Sequence, residues 1–89
     1  MKKNAPLRPV SQAEIQPIVN ALNAGQLATA ESMSKKLLKQ YPNAFVLHNL
    51  YGNALAGQSK TKEAVDAFRK AIKIDPSIAE MHFNVAALL

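Results

Sequence analysis

The sequence repeats itself at a spacing of 34 residues: Ala30 aligns with Ala64, Lys36 with Lys70, Pro42 with Pro76 and His48 with His82. A unit of that length made of two helices cannot bury its apolar face alone, so successive units must stack to form a core. The spacing therefore predicts an all-α array of antiparallel helical hairpins, and strand signals are absent along the chain. At 89 residues, 48% of them hydrophobic, there is room for one small domain and none for a two-domain enzyme.

The local signals divide the chain into an arm and five helices. Residues 1–10 hold two prolines and three basic residues without periodicity and read as a flexible basic arm. Ser11-Gln12-Ala13-Glu14 has the form of a capping box, followed by Ile15, Ile18, Val19 and Leu22 on one apolar face. Pro17 in that stretch predicts a kink or a late start, because proline past the first turn removes an intrahelical bond. Gly25 supplies a left-handed stop. The second helix then turns Leu27, Ala30, Leu37 and Leu38 inward and Glu31, Lys35, Lys36 and Lys39 outward.

Pro42 ends that helix, and Asn43 is suited to cap a third over residues 44–56, with Gly57 as its stop. The third helix is apolar over most of its circumference apart from His48, Asn49 and Asn53. A fourth, over 60–74, points Ala64, Phe68, Ala71 and Ile72 inside and Asp66, Arg69, Lys70 and Lys73 outside, with Asp66 and Lys70 spaced as an ion pair. Asp75-Pro76 breaks it. Ser77-Ile78-Ala79-Glu80 forms a second capping box, and a fifth helix reaches Leu89.

A 34-residue helical hairpin closed by proline resembles the tetratricopeptide repeat. The unit from Phe45 to Ile78 carries that family's marks in order: Gly52 where the first helix lets the second approach, then the small Ala64, the aromatic Phe68, Ala71 and Pro76. The preceding unit, 11–44, keeps Gly25, Ala30 and Tyr41-Pro42, but has Ile18 at the close-approach glycine and Ser34 at the aromatic. A partial unit covers 79–89, so the resemblance spans 11–89. The tryptophan common early in the first helix is replaced by His48 and His82.

The resemblance implies a right-handed superhelix whose first helices line a concave groove for a partner segment. Carried over by position, the groove residues are Gln12, Ile15, Val19 and Leu22 in the first unit, Asn49, Asn53 and Ala56 in the second, and Glu80, Phe83 and Ala87 in the partial one. Relatives that clamp a carboxylate terminus use a lysine where Ile15 stands, which argues against a chaperone-tail clamp. The phrases Leu47–Gly57 and His82–Val85 also resemble repeats that precede bacterial glycosyltransferase or sulfotransferase domains.

Other chemistries find little support. Gly52–Ser59 approaches a phosphate-binding loop, yet Gln58 replaces the lysine that reaches the phosphates and a helix precedes it instead of a strand. His48 and His82 occupy equivalent positions, as a zinc pair would, but no third ligand is offered. Zero cysteines exclude disulfides and thiolate metal sites and suit a reducing compartment. No cofactor is expected, and no nucleophile has a base partner, so the chain is read as non-catalytic.

The net charge of +5 permits acidic partners. With Glu31 and Asp66 interspersed, the convex lysines read as a solvated face, and a basic nucleic-acid-binding domain is the alternative. The start Met1-Lys2-Lys3 lacks the apolar run of a secretion signal, and no stretch of about 18 apolar residues exists to span a membrane, which together predict a cytoplasmic protein. Met81, Phe83, Val85, Leu88 and Leu89 leave an apolar stripe on the last helix, which predicts self-association through 79–89 or continuation into a longer chain. The function expected is a protein-interaction or assembly module; the second alternative is the recognition segment of a larger transferase.

Overall fold

A computed structural model describes residues 10–74. It contains four helices: α1 (Gln12–Asn23), α2 (Leu27–Gln40), α3 (Phe45–Gly57) and α4 (Thr61–Ile74). The fold is all-α, as the repeat spacing predicts. Residues 1–9 of the basic arm, Pro76, the second capping box, the fifth helix with His82, and the proposed self-association segment lie outside the described residues, while Val10, the last residue assigned to the arm, is half-buried against the helical core.

Each helix packs on the next, and α1 also packs on α3. Helix α3 thus lies against all three others, which explains its nearly continuous apolar surface: Leu47, Leu50, Gly52, Ala54 and Leu55 are all buried. Two buried clusters follow the two hairpins. One joins Ile18, Ala21, Ala30, Tyr41, Leu47, Leu50 and Ala54, and the other joins Leu55, Ala64, Ala67 and Phe68. Ala71 is also buried. The predicted small residues Ala30 and Ala64 are fully excluded from water, so each lets a neighbouring helix approach.

The start of α1 follows the sequence signal. Ser11 Oγ accepts from the Glu14 amide at 3.2 Å, and the Ser11 amide donates to Glu14 Oε1 at 2.9 Å, closing the capping box. Pro17 does not delay the helix, which already starts at Gln12. The bond that proline removes would have used the Ala13 carbonyl, and both residues are exposed, so water can serve that oxygen.

Four other expectations are corrected. Asn43 does not cap α3; the cap is Ala44, which has no side chain to offer the helix amides. The turn is held instead by His48, whose Nε2 donates to the Pro42 carbonyl at 2.8 Å. Glu31 does not simply point to solvent: it accepts from Gln58 at 2.8 Å and from Lys60 at 3.2 Å, tying α2 to the α3–α4 turn. The Gln58 amide, then Lys60 and Lys35, hold its carboxyl below the usual range against a smaller opposing push from burial. That small stabilisation is therefore present at neutral pH and lost as pH falls through the lowered value. Asp66 and Lys70 are not an ion pair among the described residues.

The fourth correction concerns how α3 ends. Gly57 is the last helical residue, and the left-handed position falls on Ser59, with φ of 65°. The Ser59 and Lys60 amides donate to the Ala56 and Leu55 carbonyls at 3.0 and 2.9 Å. Gly25, 34 residues earlier, makes the same turn with φ of 76°, its own amide and that of Gln26 reaching Leu22 and Ala21. Gly57 instead faces Leu27: a Cβ there would stand 2.7 Å from Leu27 Cδ1, so the end of that half-buried side chain would have to shift.

A serine in the left-handed region carries a steric cost of about 1 kcal/mol or more that glycine avoids, partly offset by glycine's larger unfolded entropy. Ser59→Gly is therefore expected to stabilise the chain, with thermal unfolding shifted upward by roughly 4 °C. A lower melting temperature for this variant in a circular dichroism melt would contradict the assignment of the turn.

Candidate functional site

The predicted groove residues of the first two units lie on two helices that pack against each other. On α1, Ile15, Val19 and Leu22 are half-buried and lean on the first core cluster, while Gln12 is exposed. On α3, Asn49 is half-buried, Asn53 is exposed, and Ala56 packs against the second cluster rather than standing clear of it. Glu80 and Phe83 lie outside the described residues.

The groove stripe of α1 is bordered by a feature the sequence reading missed. Gln12 Nε2 donates to Gln16 Oε1 at 2.9 Å, and Gln16 Nε2 donates to Asn20 Oδ1 at 3.0 Å. The three amides form a ladder along the exposed side of the helix, each four residues from the next. That i, i+4, i+8 spacing was the available signal. Every amide side chain both donates and accepts, so the ladder and the α3 asparagines can pair with a peptide backbone in either polarity.

Of the residues predicted to shape the repeat, Ala30, Gly52, Ala64, Phe68 and Ala71 are buried, Gly25 and Pro42 are exposed, and Pro76 lies outside the described residues. Gly52 lies under the Phe68 ring: a Cβ built there would be 2.7 to 2.9 Å from three ring atoms. Ser34, at the position equivalent to Phe68, is fully buried and donates its hydroxyl to the Ala30 carbonyl at 2.8 Å. Pro42 is exposed, and its carbonyl is the acceptor for His48.

On the opposite side, α2 and α4 are separated by an open cleft floored by α3. One part, about 410 Å³, is lined by Leu38, Pro42, His48, Lys70, Lys73 and Ile74. The adjoining part, about 210 Å³, shares Leu38, His48 and Lys70 and adds Tyr51, Glu63 and Asp66. Sequence reading had placed Lys70 and Lys73 on a plain solvated face.

Among the described residues no three His, Asp or Glu side chains converge as metal ligands, and no helix is long and apolar enough to cross a membrane. The stretch Gly52–Ser59 is the last turns of α3 and its cap, not a loop that could wrap phosphates. Residues 45–78 match the family model for the tetratricopeptide repeat. No solved structure matches the chain.

Proposed function

Residues 45–78 are a tetratricopeptide repeat, and from that premise we propose that the chain is a protein-interaction module that holds an extended partner segment along the α1–α3 face, with no catalysis of its own. The observation that carries the reading is the pairing of two kinds of surface on these adjacent helices. Half-buried Ile15, Val19 and Leu22 offer apolar contact, and Gln12, Asn49 and Asn53 offer amides beside it. An extended peptide needs both, because its backbone N–H and C=O groups must be re-paired when they leave water.

The test uses a peptide selected on the 89-residue chain from a random-sequence display library. The double substitution Asn49→Ala with Asn53→Ala is expected to weaken that peptide about tenfold, the loss of about one net hydrogen bond's worth of affinity. The helix content and melting curve should stay those of the parent. Unchanged affinity with an unchanged melting curve would remove the asparagines from the binding face.

A further inference from the structure

We propose that the cleft between α2 and α4 is a second docking surface, for an extended peptide that carries an acidic side chain, then an aliphatic one, then a basic one. The surface is distinct from the α1–α3 face and would serve whether or not that face binds anything.

Charge is distributed unevenly along the cleft. Its larger part carries Lys70 and Lys73 with no carboxylate among its lining, and among the described residues neither lysine is in an ion pair. The smaller part carries Glu63 and Asp66, which precede the shared Lys70 on α4. The apolar Leu38 from α2 lines both parts, and Tyr51 from α3 and Ala67 from α4 line the smaller one beside the carboxylates. His48 stands at the junction with its ring orientation fixed by the bond from Nε2 to the Pro42 carbonyl. A ligand that meets this lining group by group has an anionic end, an apolar middle and a cationic end.

That distribution also discriminates between partner classes. A nucleic acid presents negative charge at every step of its backbone, so a strand long enough to reach past Lys70 would lie over Glu63 and Asp66. A peptide can change sign over three residues. The apolar floor points the same way, because aliphatic side chains are what peptides bring and nucleic acids lack.

The experiment titrates the full 89-residue chain with a fluorescein-labelled hexapeptide of sequence GDLLKG and, as probe of the anionic end, its all-basic counterpart GKLLKG, reading anisotropy at constant ionic strength. The first peptide is expected to bind at least threefold more tightly than the second. Lys70→Glu with Lys73→Glu should weaken GDLLKG about tenfold, a loss typical of a docked charge pair, and shift the preference toward GKLLKG. Lys35→Glu with Arg69→Glu changes net charge equally at two residues that do not line the cleft, so affinity for GDLLKG should fall no more than about threefold.

Equal losses from the two double variants would overturn the proposal, as they would mean a diffuse field and not a site. So would competition by a 12-nucleotide single-stranded DNA that depends on Lys70 and Lys73. A wild-type chain that binds neither peptide at millimolar concentration, its cleft filled by its own residues 75–89 or by a second copy, overturns it as well.

Discussion

Gly52→Ile is expected to destabilise the chain by about 3 kcal/mol or more, and Phe68→Ser to cost less in that background than it costs alone, a partial restoration of the packing. The direct cost is steric. A single carbon at position 52 would already lie 2.7 Å from Phe68 Cε1 and 2.9 Å from Cδ1 and Cζ, and the ring is 1% exposed, with little room to move aside. The restoration follows from the other repeat, where the equivalent positions are Ile18 and Ser34, both buried. Bulk sits on the first helix of one hairpin and on the second helix of the other.

The double variant writes the first repeat's pair into the second and nearly conserves total side-chain volume. The new serine hydroxyl can donate to the Ala64 carbonyl, as Ser34 does to Ala30. Phe68→Ser alone should cost about 3–5 kcal/mol, so in urea denaturation the double variant should be at least about 1 kcal/mol more stable than the sum of the single losses predicts. Strict additivity would show that the two sites fill their space independently.

The same pair shows what could be read from the sequence and where reading stopped. Equivalence at 34 residues gives the hairpins, the small residues at helix crossings and the burial of Phe68, because these follow from periodicity and volume. It also puts Ile18 and Ser34 where Gly52 and Phe68 stand in the other unit, but it does not reveal that both are buried, since that is a property of helices in contact. The error at the end of α3 came from trusting residue type over register. Gly57 looked like the stop, whereas position 59, the partner of Gly25 in the repeat, holds a serine that accepts the left-handed conformation. Asn43 misled in a similar way, because the helix starts two residues after it and the turn is fastened by His48.

Long-range polar links were least legible. Glu31 meets Gln58 and Lys60 from 27 and 29 residues away, and nothing local distinguishes it from an outward-facing glutamate. The shared apolar face of Ile15, Val19 and Leu22 on α1 was readable from helical spacing, and the Gln12–Gln16–Asn20 ladder needed only the same spacing of four. The α2–α4 cleft was not readable at all. Its lining comes from three helices, and whether lysines outside a core border a plain face or a cleft depends on how far apart those helices stand.

Tyr41→Phe is expected to cost about 2 kcal/mol and to lower the melting temperature by roughly 10 °C, a large effect for the loss of one oxygen. Tyr41 ends α2 and is 7% exposed, with its ring in the first core cluster. Its hydroxyl donates to the Glu14 carboxylate, 2.8 Å from Oε2 and 3.0 Å from Oε1, while Oε1 also accepts from the Ser11 amide and hydroxyl at 2.9 Å each. One carboxylate thus joins the start of α1 to the end of α2, and with them the two open ends of the first hairpin. Hydrogen bonds to charged groups are stronger than neutral ones, and phenylalanine leaves the ring packing in place, so the difference reports the hydroxyl alone. Repeating the substitution in a Glu14→Ala background separates the bond from any other effect of the change. There Tyr41→Phe should cost less than half as much, and an undiminished cost would mean that the tyrosine hydroxyl stabilises the hairpin through a group other than Glu14.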